Sequence, residues 1–171
     1  PLEITLGKEY WEILIDTYDK KYKKNNFNIY YWTYRNIVLN LFKMGQVSIP
    51  KADIYHAVST GYAGYLAALA GYRKMGKVVL TEHGIYPRER EEEVLSADWI
   101  DKEFKSIWID YFYYLSRIAY QYCDLIISLF KYNSMIQIEN GADPKKVMVI
   151  PNGVDEKVYG AIKREKREGF N

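Results

Sequence analysis

Between Asp53 and Ile150 the chain alternates short apolar runs with helix-length stretches, and this rhythm restricts the fold more than any other feature of the sequence. Residues 53–58 are short, apolar and punctuated at both ends, which predicts a buried strand. Residues 61–75 carry Ala63, Leu66, Ala67, Leu69 and Ala70 at helical spacing, stop at Gly76, and lead into the apolar run 78–81. A second round follows: a helix over 102–122, a strand over 125–128, a helix over 132–139 and a strand over 147–150. Strands separated by helices cannot pair as hairpins. The expectation is therefore an α/β fold, a Rossmann-like parallel sheet flanked by helices with right-handed crossovers.

Two helices precede this unit. Residues 8–24 place Trp11, Leu14, Ile15, Tyr18 and Tyr22 on one side and close in lysines that suit a helix C-terminus. Residues 31–44 carry Ile37, Val38, Leu41 and Phe42 on one side, with Gly45 as the stop. The chain then divides into a helical segment (1–50), a Rossmann-like unit (51–155) and a polar, mixed-sign tail (156–171) that reads as a linker or crossover. A length of 171 residues suits one buried core. The 18 tyrosines can line a polar groove or pack at the rim of that core.

Several classes of function are set aside on composition. A formal net charge of +2 gives no concentrated cationic face for nucleic acid. Cys123 is the single cysteine, so no intrachain disulfide forms, and no Cys/His cluster has metal-site spacing. A reducing compartment, the cytoplasm, is the expected location. The uncharged stretch 54–72 approaches membrane-span length, but Ser59, Thr60, Gly61 and Gly64 interrupt it, and no signal peptide is visible at the N-terminus. A hydrolase is disfavoured by the lack of a Gly-x-Ser-x-Gly elbow.

In an open parallel sheet, ligands collect at the carboxyl ends of the strands, so the residues after each strand come first. After the first, His56, Ser59, Thr60, Gly61 and Gly64 lead into a helix N-terminus. This can hold a phosphate or a sugar hydroxyl, or can be a Ser/Thr cap with glycines needed for close packing. After the second, Glu82, His83, Gly84, Arg88 and Arg90 put an acid, an imidazole and two guanidinium groups in one loop. The competing reading makes residues 88–93 the charged first turn of a helix. After the last, Asn152 and Gly153 form a turn signature.

Taken together, Asp53-Ile54-Tyr55-His56, Val79-Leu80-Thr81-Glu82-His83-Gly84, Asp124-Leu125-Ile126-Ile127-Ser128, and Gly141-Ala142-Asp143-Pro144 ahead of Val149-Ile150-Pro151-Asn152-Gly153-Val154-Asp155 resemble the N-terminal domain of family 4 retaining glycosyltransferases. The strings from His56 to Gly64 and from Glu82 to Arg90 are closest to the PelF-like branch, which is linked to bacterial exopolysaccharide synthesis. The resemblance implies the N-terminal, acceptor-side half of a GT-B fold without its first strand and Gly-rich loop. It also implies a C-terminal domain of the same protein that holds most of the nucleotide-sugar donor, a UDP-sugar such as UDP-glucose, and no metal or other cofactor. His83 then approaches the donor sugar as the catalytic-site histidine. Glu82, Gly84, His56, Ser59, Thr60 and Gly61 line the cleft, Arg88 and Arg90 face the carbohydrate acceptor, and Asn152 and Gly153 lie near the hinge. Turnover by this half alone is expected to be weak or absent.

Two rival readings are a stand-alone carbohydrate- or nucleotide-binding module and a protein-interaction domain built on the aromatic helices. Basic helix ends could touch an anionic membrane surface, and an uncovered face could be buried in a homodimer.

Overall fold

Four strands form one parallel sheet, in the spatial order in which they occur along the chain, among the residues 2–160 that the computed structural model describes. They are β1 (Ile54–Ala57), β2 (Lys77–Glu82), β3 (Leu125–Ser128) and β4 (Val147–Val149). Register is set by pairs such as Ala57 with Leu80, Leu80 with Ile126, and Ile126 with Val147, which align the apolar positions of all four strands on one face. The α/β expectation, a Rossmann-like sheet flanked by helices, therefore holds.

The helices are α1 (Lys8–Thr17), α2 (Phe27–Gly45), α3 (Tyr62–Tyr72), α4 (Tyr86–Ser96), α5 (Lys105–Tyr122), α6 (Lys131–Glu139) and the short α7 (Glu156–Tyr159). Because strand order equals chain order, right-handed crossovers deliver successive helices to the same face. Burial agrees. Val78, Leu80 and Ile126 are fully buried beneath α3 and α5, whereas Ile54 and Met148, on the opposite face, are 62% and 50% exposed.

Two features of the helical layer differ from expectation. Residues 18–22 continue α1 as a π-helical turn, and α2 begins at Phe27 because the Asn26 side chain accepts from the backbone N–H groups of Asn28 and Ile29. The charged stretch 88–93 lies within α4, whose first turn holds Pro87, rather than in a loop. Tyrosines of the N-terminal segment are core residues. Tyr10, Leu14, Tyr30 and Phe104 form a buried aromatic cluster, and Tyr30 donates to the Leu14 carbonyl at 3.0 Å. Ile37 of α2 packs with Tyr111 and Leu115 of α5, which joins this segment to the helices covering the sheet. The tail from Lys163 to Glu168, read above as a linker, lies outside the described residues.

Helix α3 approaches α5 and β2 closely enough that only glycine fits at two positions. A Cβ on Gly71 would stand 2.6 Å from the Tyr122 carbonyl oxygen, and one on Gly64 would stand 2.8 Å from that of Ser59. At the end of α3, Lys74 takes the left-handed conformation (φ 54°), and the Met75 N–H bonds the Ala70 carbonyl. Gly76, expected as the helix stop, instead lies against the carbonyls of Ala52 and Asp53. Urea unfolding should show Gly71→Ala destabilised by about 1–3 kcal/mol despite alanine's better helix propensity. Gly153→Ala, where nothing lies within 4 Å, should be neutral or slightly stabilising.

Candidate functional site

The carboxyl edge of the sheet is organised around one buried acid. Glu82, the last residue of β2, is 2% exposed. Its Oε1 accepts from Thr60 Oγ1 at 3.1 Å and from the Tyr86 backbone N–H at 3.2 Å. Its Oε2 accepts from the Tyr120 hydroxyl at 2.7 Å and from Gln137 Nε2 at 2.9 Å. Ser116 of α5 extends the network by donating to Thr60 at 2.9 Å. One carboxyl group thus ties together the loop before α3, the start of α4, the end of α5 and the last turn of α6. Four donors complement an ionised carboxylate, which is acceptor-only. Burial nevertheless pushes its pKa above the ordinary value, against the opposing pull of the bonds from Tyr120, Gln137, Tyr86 and Thr60.

This arrangement separates the expected site residues from one another. Glu82 and Thr60 point into the protein, their polar atoms engaged by neighbours, so they shape the rim rather than line a cleft. Gly61 is buried because the Tyr86 ring lies against it, where a Cβ would come within 2.7 Å. The Arg90 guanidinium lies 5.4 Å over the other part of this assembly, the Tyr86 ring, and pairs with Glu93. Glycine, tyrosine and arginine therefore clasp the two loops to each other. Arg90 faces this clasp, although its Nε is buried without a hydrogen-bond partner.

His56 falls on the sheet face opposite the helices, because it pairs with Val79 rather than with a core position, and its Nε2 lies 2.8 Å from Thr81 Oγ1. That location differs from the loop position expected of it. Asn152 and Gly153 are exposed beyond β4, which β3 separates from β2, the strand that His83 follows. Of the expected residues, His83 after β2 and Arg88 in α4 are left open to solvent, and Ser59 and Gly84 are half-buried. Ser59 Oγ accepts from the Gly61 N–H at 3.3 Å, but Gly61 is the N-cap of α3 and no side chain caps that helix, so the Ser/Thr cap expected there does not form. The His83 imidazole has no hydrogen-bonded partner among the described residues. Such a ring can donate to, or accept from, a bound hydroxyl.

Tyr86, Ser116, Tyr120 and Gln137 complete the network and were not anticipated. Ser116 and Tyr120 share a spacing of four on α5, which puts them on one helical face, but nothing local marks Gln137 as a partner of an acid 55 residues away.

Other features lie apart from this rim. A cavity of about 620 Å³ opens at the amino-terminal edge of the sheet, bordered by Lys77, Asp124 and Lys146. There Asp124 accepts from Lys77 Nζ at 2.8 Å and the Val78 N–H at 2.9 Å, bonds that lower its pKa and staple β2 to β3. Cys123 is buried, which pushes its thiol up to about 12. No group of three or more His, Cys, Asp or Glu could hold a metal ion, and no helix is long and apolar enough to cross a membrane, among the described residues.

The Glu82 network has a pH signature. Its proton affinity is higher folded than unfolded, so its contribution to stability is fully present below the unfolded carboxyl pKa and is lost as pH rises through the raised folded value. Asp124 has the opposite sign, stabilising above its unfolded pKa and losing that effect as pH falls. Glu82→Gln should remove the first component, so that the gap between variant and wild type in urea unfolding narrows from acid to neutral pH. It should not vanish, because an amide cannot accept from all four donors, and a loss of about 1–3 kcal/mol should persist at neutral pH.

No curated protein matches the sequence. A family described as a domain of unknown function, DUF3492, matches residues 1–145, which takes in the aromatic helices, the Glu82 network and the first three strands. The chain belongs to that family.

Proposed function

We propose that this chain is the N-terminal, acceptor-side domain of a retaining glycosyltransferase of the GT-B kind, similar to the PelF-like branch of family 4. The observation that carries this reading is the presentation of His83. An exposed imidazole directly follows a buried carboxylate at the carboxyl end of an interior parallel strand, where α/β sheets hold their ligands. The Glu82-His83-Gly84 string and its order relative to Asp53 and Asn152 supply the link to this family.

The reaction would move a sugar from a UDP-sugar, UDP-glucose in the leading reading, to an acceptor hydroxyl, with UDP leaving, in bacterial polysaccharide synthesis. His83 would hydrogen-bond a hydroxyl of the donor sugar. Arg88 would meet an anionic or hydroxyl-rich part of the substrates with its planar fork. Glu82 would act through other groups, holding the loops that carry Ser59 and His83 at fixed separation. Positive charge grows on the anomeric carbon and negative charge on the departing diphosphate, so stabilisation needs groups from both walls of a cleft. A second domain, joined beyond Asn152 and Gly153, would supply most of the contacts to the nucleotide.

In the two-domain protein that this reading requires, UDP release from UDP-glucose reports turnover without knowledge of the acceptor. His83→Ala should lower kcat by about 100-fold, in the range for loss of one preorganised donor, with an unchanged unfolding midpoint. Activity within about threefold of wild type would remove His83 from the chemistry.

A further inference from the structure

Three of the chain's four tryptophans converge on a groove that the rim residues do not use. Its walls are the amino-terminal half of α2, the loop between α4 and α5, and the first turn of α5. Trp32 comes from the first, Trp99 from the second and Trp108 from the third. The volume is about 540 Å³, within the roughly 300–1,000 Å³ typical of clefts for small ligands.

The rings are oriented before any ligand arrives. Trp99 meets Trp108 edge to face, with centroids 6.4 Å apart at 72°, and Trp108 is held from behind by Tyr111 and Phe112. The Arg35 guanidinium lies 5.2 Å over the Trp32 ring. Trp99 is nonetheless 79% exposed and Trp32 50% exposed. The groove is also lined by Asn28, Asn36 and Asp98, all exposed polar side chains. Indole faces are electron-rich and attract the weakly positive C–H patches of a pyranose ring, while amides and carboxylates bind its equatorial hydroxyls. A protein-docking patch has a core depleted of charged groups, whereas this groove is lined by Asp98 and Asp101 together with its tryptophans.

The location fits as well. Helix α5 runs about 27 Å over its 18 residues and ends at the amino-terminal side of β3. The six-residue β2 spans only about 20 Å. The first turn of α5 therefore stands beyond the carboxyl edge of the sheet, on the same side as His83. A smaller hollow of about 210 Å³ shares Trp99 and Trp108 with the groove and is bordered on its other side by Arg90, so the surface is continuous with the rim.

We infer that this groove is an oligosaccharide-binding site for a neutral or amino-sugar chain. Saccharide binding here does not depend on glycosyl transfer; only the identification of the bound chain as an acceptor rests on the reading above. The test is an NMR titration of the protein with maltohexaose, cellohexaose and a glucosamine hexamer, following the four indole N–H resonances. At least one of these saccharides should shift Trp32, Trp99 and Trp108 and leave Trp11, which stacks on Tyr31 in the aromatic cluster, in place. Trp99→Ala should weaken that binding by about tenfold, Trp99→Phe should restore most of it, and both should unfold like wild type. His83→Ala should bind as wild type does, which separates this site from the proposed chemistry. No shift with any of the three, or equal shifts at Trp11, would overturn the assignment.

Discussion

A single buried carboxyl group, that of Glu82, bonded where four segments meet, is the constraint on which the carboxyl edge of this molecule depends. Removing a charge from water is unfavourable unless donors replace the lost hydration, and Glu82 finds four of them. Each donor comes from a different segment, so satisfying the buried group fixes the loop at Thr60, the start of α4, the end of α5 and the last turn of α6 relative to β2. A hydrophobic residue in the same place could fill the volume but would not specify this arrangement. Gln137 marks how far the geometry bends to serve the acid, since its amide nitrogen reaches Glu82 while its carbonyl oxygen stays buried without a partner.

Around this anchor the sheet is one-sided. Its order follows the chain, its crossovers share one hand, and its buried residues Val78, Leu80 and Ile126 face α3 and α5. Close packing of that layer depends on small residues in α3, and its outer surface is tied to the N-terminal aromatic cluster through α5. The long α5 therefore links three parts of the molecule: the Glu82 network at Tyr120, the core at Ala119 and the tryptophan groove at Trp108.

Much of the architecture was legible because alternation and helical spacing are local signals. β3 was located to the residue, and β1, β2 and β4 to within one or two. α4 was seen only as a competing reading, because Arg88 to Glu93 carry no apolar stripe and its start is set by Pro87 and by the bond from Tyr86 to Glu82. The site was read less well for a related reason. Polar residues clustered after a strand look alike in sequence whether they face a ligand or each other. Period-two alternation already put Glu82 on the face of Val78 and Leu80, and His56 on the face opposite Tyr55 and Ala57. Carried through, that rule would have turned Glu82 inward and moved His56 away from the rim. The partners Tyr120 and Gln137 are long-range, and no local pattern reveals them.

Hydrogen exchange measured by mass spectrometry on wild type and Glu82→Gln tests the central role of this acid most directly. Weakening the network should raise exchange in residues 59–62 and 83–90, which Glu82 holds, while Val78, bonded to Asp124 at the far edge, keeps its protection. Unchanged exchange in those two loops, or an equal rise throughout the sheet, would contradict the account.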